Sequence, residues 1–175
     1  MDFSKISDEF AREIVREGEA YLAGQLQIAT SADQRAAVMA SVFAAAGAAF
    51  LAVIITVVSD TNNARTVFPI ILGGTAAGIS FLIGASCCVR ATMPCSFWTP
   101  GSEPDNWKGE IATGAELKAA LGEQSGHIQD KIDDNNTVLE RNALWFKWGG
   151  RLGIAAPFAG LIVWLLSSAC RLAWG

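Results

Sequence analysis

Three stretches of the chain run without a single charged side chain: residues 36–59, 66–89 and 152–170. They hold 24, 24 and 19 residues, and a helix of roughly 20 apolar residues crosses about 30 Å of hydrocarbon. Buried core helices of soluble domains rarely exceed about 12 to 15 residues without a polar face. The pattern therefore predicts an all-α integral membrane protein with three transmembrane helices. Ahead of the first stretch, residues 3–30 place Phe3, Ile6, Phe10, Ile14, Leu22 and Leu26 at mostly helical spacing, with Asp8, Glu9, Arg12, Glu13, Arg16 and Glu17 elsewhere. That is an amphipathic helix. It is net acidic and would be repelled by anionic lipid, so its apolar side is expected to pack on the protein's own cytoplasmic part.

The resulting organisation has four parts: a cytoplasmic amphipathic arm over 1–35; a transmembrane hairpin over 36–89, with spans at about 36–58 and 67–89; a cytoplasmic loop and stalk helix over 90–150; and the third span with a short external tail over 151–175. Composition fits, since 51% of residues are hydrophobic and 17% charged, a balance seldom seen in soluble domains. Residues 1–35 carry seven acidic residues and lack the basic start of a signal peptide, so the first span is expected to remain as an anchor.

Orientation follows from the basic residues. Lys and Arg number four in the arm, one in the turn at 60–65, seven over 90–151 and one in the tail. The positive-inside rule places arm, loop and stalk in the cytoplasm and the C-terminus outside. Trp145 and Trp148 precede the third span, Trp174 follows it, and Trp98 follows the second; these four are expected to anchor at the membrane interfaces.

Small residues recur at four-residue steps, in Ala40, Ala44, Ala48 and Ala52 on the first span, in Gly74-x-x-x-Gly78 and Ser80-x-x-x-Gly84 on the second, and in Gly149-x-x-x-Gly153 and Ala156-x-x-x-Gly160 on the third. Such faces let helix backbones approach closely in lipid, within a chain or between chains. Pro69 lies in the first turn of its span, whereas Pro157 lies inside the third and predicts a kink by freeing the carbonyl of Gly153. Over 90–114, three prolines and two tryptophans predict a shaped loop with a turn at Pro100-Gly101. From Ala115 a helical pattern resumes and is expected to run into the third span, broken only at Gly149, Gly150 and Gly153. Ile132, Leu139 and Phe146 repeat every seven residues, interleaved with Leu121, Ile128, Asn135 and Asn142. Two readings fit this seam: a coiled coil between chains, with Asn135 and Asn142 paired inside it to fix partner number, or a helix packed on the N-terminal arm.

At the loop and stalk, Pro94, Phe97, Pro100-Gly101, Pro104 and Trp107, then Ile132-x-x-Asn135 and Asn142-Ala143, follow an arm that ends in Asp33-Gln34-Arg35-Ala36. In these features the chain resembles small, multi-pass, uncharacterised bacterial inner-membrane proteins, and the resemblance brings no established activity. Its plan of two spans, a cytoplasmic helical segment and a third span is similar in architecture to oligomeric membrane effectors of bacterial antiphage systems.

Candidate chemistry is sparse. Cys87, Cys88, Cys95 and Cys170 lack CxxC spacing, and the lone His127 has only Glu123, Asp130 and Asp134 near it on one helix, so neither a metal nor a cofactor is expected. No phosphate-binding loop, nucleophile elbow or HExxH is present, and the three spans hold no ionisable side chain apart from cysteine that would couple transport to an ion. The expectation is a non-enzymatic membrane protein that self-associates, as a pore-forming effector or scaffold. The alternative is an accessory subunit of a larger membrane complex, binding its partner through the cytoplasmic segment. Its surroundings are expected to be the lipid bilayer and a homo-oligomer or larger complex, with no nucleic acid.

Overall fold

The computed structural model describes residues 5–60 and 64–174, without the side chains of residues 60, 64–66, 173 and 174. Phe3 and the Trp174 side chain, expected on the arm's apolar face and as an interface anchor, lie outside the described residues. Among the described residues all regular structure is helical: α1 (Asp8–Asp60), α2 (Ala64–Ala91), a 3-10 turn (Pro104–Trp107), α3 (Lys108–Thr113) and α4 (Leu117–Trp174). Stretches of α1, α2 and α4 are long and apolar enough to cross a membrane.

Local chemistry accounts for four of the helix ends. Ser7 Oγ accepts the Phe10 N–H at 3.2 Å, and Asp8 and Glu9 follow in the first turn of α1, where carboxylates oppose the positive end of the helix dipole. Arg90 closes α2. Pro104 opens the 3-10 turn, where its missing N–H costs nothing, and Gly114 ends α3 at φ +63°, a left-handed conformation suited to glycine.

Three expectations are corrected. The arm and first span form one unbroken helix, because residues 30–36 are polar yet contain no glycine or proline to stop it. The loop over 90–114 contains the 3-10 turn and α3 rather than irregular chain alone. Finally, α4 passes through Gly149, Gly150 and Gly153, where a break was expected, as one helix. Packing restrains two of those glycines: a methyl added to Gly149 would lie 2.6 Å from Cys88 Sγ, and one on Gly153 would overlap the Phe43 ring.

The chain divides into two compact units. An arm–stalk unit joins Met1–Ala32 with Pro94–Glu140. Within it, Ala11 and Leu121 are buried together with Ile6, Ile14, Val15 and Trp107 around them. Gly18 faces Ile128, and the Gln25 side chain reaches Ile132 and Asn136. Contacts thus advance along both helices together, so α1 and α4 run parallel, with seven-residue steps on each, as in a coiled coil.

A span unit joins Asp33–Met93 with Arg141–Gly175. Gly47 packs on Gly78 and Leu82, and Gly74 on Ile54, so α1 and α2 are antiparallel. Gly84 meets Gly149 and Gly153, while Gly73 meets Gly160 and Trp164, so α2 and α4 are antiparallel as well. Ala40, Phe43, Ala85 and Cys88 form the buried centre, with Met39, Phe81 and Phe146 against it.

Candidate functional site

The polar centre of the arm–stalk unit is built around Asn135, which is 0% exposed. Its Oδ1 accepts the Trp98 N–H at 2.8 Å, and its Nδ2 donates to the Trp98 carbonyl at 3.0 Å and to Gln25 Oε1 at 3.1 Å. Gln25 Nε2 in turn donates to the Ile132 carbonyl at 3.2 Å and to Asn136 Oδ1 at 2.8 Å. Both amides are therefore satisfied where they are buried, which removes the desolvation penalty of an unpaired amide. The Trp98 indole donates to Asp134 at 3.0 Å. One turn of loop further on, the Gly101 N–H donates to Glu19, and Lys131 Nζ donates to the Gly101 carbonyl at 3.2 Å.

This network decides between the two readings of the stalk seam for Asn135. Its hydrogen-bonding groups are bonded to Gln25 and Trp98 of its own chain, where the reading of a seam between chains expected a partner's amide. The physical reason is the parallel packing of α1, which presents Gln25 opposite Asn135. Ile132, Leu139 and Asn142 are half-buried, and Phe146 packs on the core of the span unit.

Of the small residues, Gly74, Gly78, Gly149 and Gly153 lie at helix crossings within the chain, and Ala40 is buried among them. Ala44, Ala48 and Ala52 are exposed. With Ala37, Ser41 and Ser59 they form a stripe along α1 interrupted by Ile55. Ser41 and Ser59 each return their hydroxyl to the carbonyl four residues back, at 2.9 Å, so the stripe carries no unsatisfied hydroxyl there. Beside the stripe α1 also exposes Val38, Val42, Val53 and Val58, and the exposed faces of the other two long helices carry large side chains of the same kind. On α2 they present Phe68, Ile70, Ile79 and Ile83, and on α4 Ile154, Phe158, Ile162, Leu165 and Leu166. Gly47 and Gly73 also lie at crossings; Gly73-x-x-x-Ala77 carried a sequence signal, whereas Gly47 stands alone.

Trp98, expected as an interface anchor, is 47% exposed and tied to the arm–stalk unit through Asp134 and Asn135. Trp145 and Trp148 are exposed, and the Arg151 guanidinium sits 5.3 Å from the Trp148 ring centre, within cation–π range. Hydrogen bonding and charge from Glu13 raise the Arg16 guanidinium above its usual range.

An apolar cleft of about 330 Å³ lies within the span unit, lined by Phe50, Val53, Ile54, Ile70, Gly73, Pro157, Trp164 and neighbours. No ionisable side chain lines it. His127 lies 3.9 Å from Glu123, both well exposed, as on an ordinary solvated helix face. Among the described residues no three His, Cys, Asp or Glu side chains gather into a metal site. No family model, curated protein or solved structure matches the chain.

Proposed function

We propose that the chain is a non-enzymatic, three-span protein of the bacterial inner membrane that self-associates, as a pore-forming effector or membrane scaffold. The observation that carries this reading is the stripe of small residues on one exposed face of α1. Large aliphatic and aromatic side chains, which suit contact with lipid tails, are exposed on all three long helices, and α1 carries, beside its exposed Val38, Val42, Val53 and Val58, the stripe of Ala37, Ser41, Ala44, Ala48, Ala52 and Ser59. A small-residue face gains little from lipid and much from the close approach of another helix. Over residues 37–59 it extends for about 33 Å, enough to follow a partner across a bilayer. The basic residues over 90–151 favour the arm, loop and stalk on the cytoplasmic side and the C-terminus outside.

The same face serves against a helix of a larger membrane complex, in which case the purified chain is a monomer. Mass photometry in a mild detergent separates the two. Self-association predicts a multimer for the wild type and a lower mass for Ala44→Leu with Ala48→Leu, because leucines hold the backbones apart. Leu165→Ala, on the aliphatic face of α4, leaves the multimer intact. A monomeric wild type, or a multimer indifferent to the alanine changes, defeats self-association through α1.

A further inference from the structure

We infer that the loop over residues 94–103 is a displaceable strap, seated in a groove between α1 and α4 of the arm–stalk unit that binds peptide backbone ending in a positive-φ glycine. At two positions three residues apart, side chains of the helices take both the N–H and the C=O of the strap. Asn135 takes both at Trp98, and Glu19 with Lys131 takes both at Gly101. Recognition of this kind reads the main chain, which any peptide offers. Specificity enters at Gly101, whose φ of +97° is open to glycine at little cost, and through the Trp98 indole on Asp134.

The strap contributes little else to its own retention. None of residues 94–103 is buried, and Pro94, Cys95, Ser96, Trp98 and Thr99 are exposed. Hydrogen bonds exchange with water at small net cost, so a segment held mainly by them opens more readily than one held by apolar burial. On the helix side the groups form a preorganised set: Gln25 holds Asn135, and Asn136 and the Ile132 carbonyl hold Gln25. The occupant it fits in trans is an irregular peptide segment with an aromatic residue three positions before a glycine, as in the strap's own Trp98-Thr99-Pro100-Gly101. This inference is independent of self-association, since it concerns a different surface.

The test uses the full chain in detergent and a fluorescent peptide of the strap sequence 93–104. A tethered strap acts at an effective concentration on the order of millimolar, so the wild type should exclude micromolar peptide. Replacing residues 95–102 with a glycine–serine linker of equal length should tighten peptide binding on the order of 100-fold by removing that competitor. Adding Asn135→Ala to the linker variant should abolish the gain. A linker variant that keeps its helical content and gains no peptide binding overturns the inference, as does binding that ignores Asn135→Ala. If the linker variant fails to fold, hydrogen exchange of the wild type decides: the Trp98 and Gly101 amides should open faster than those of Leu22 and Ile128. Equal rates at all four would make the strap an integral part of the unit and overturn the inference.

Discussion

Gly153 and Gly126 lie in the same helix and differ in every other respect. A methyl on Gly153 falls inside the Phe43 ring, which is itself buried against Ala40, Ala85 and Cys88, whereas a methyl on Gly126 meets nothing within 4 Å. Gly153→Ala should therefore destabilise the chain by about 1–3 kcal/mol through overpacking. Gly126→Ala should stabilise it by about 0.5–1 kcal/mol through helix propensity alone. Thermal unfolding followed by circular dichroism reads both, and a Gly153→Ala variant as stable as the wild type would refute the crossing at that residue. Asn135 is the polar counterpart. Asn135→Ala strips partners from Gln25 and from both backbone groups of Trp98, a loss of about 1–3 kcal/mol that falls mainly on Gln25, which is buried, while the exposed strap can turn to water. The same measurement should show it, with a preserved melting temperature as the contrary result.

At the scale of elements, α2 is the helix most completely used, since one side meets α1 through Gly74 and Gly78 and another meets α4 through Gly73 and Gly84. Gly84→Leu should therefore lower Tm by several degrees, while Ala44→Leu with Ala48→Leu leaves the unfolding of a single chain unchanged. If the two variants melt alike, the division between used and unused small-residue faces is wrong. The sequence disclosed that these faces exist, because a four-residue repeat is a local property. It did not disclose which face is covered, because a stripe on one helix says nothing of its neighbour. The seam at Leu121, Ile128 and Asn135 shows the same limit: its period was legible, yet its partner, Ala11, Gly18 and Gln25 on α1, repeats every seven residues with an alanine, a glycine and a glutamine, too weakly apolar to be read as a matching stripe. The fusion of arm and first span was hidden for another reason. Residues 30–36 mark a change from polar to apolar environment, and a helix ignores such a change unless a breaker accompanies it.

For the whole molecule, the absence of charge over 36–59, 66–89 and 152–170 made the three long apolar helices legible from the start. The proposed topology sends α1 outward, α2 back and α4 outward. The parallel pairing of α1 with α4 in the arm–stalk unit, and the antiparallel pairing of each with α2 in the span unit, fit alternating crossings, while the direction of the first rests on the basic residues over 90–151. Two exposed native cysteines make the claim directly measurable: Cys95 lies in the strap after α2, and Cys170 near the far end of α4. With Cys87 and Cys88 replaced by serine, a membrane-impermeant maleimide applied to intact spheroplasts should label Cys170 in a Cys95→Ser background. It should reach Cys95 in a Cys170→Ser background only after the membrane is permeabilised. Labelling of both cysteines from the same side would contradict the three-span account.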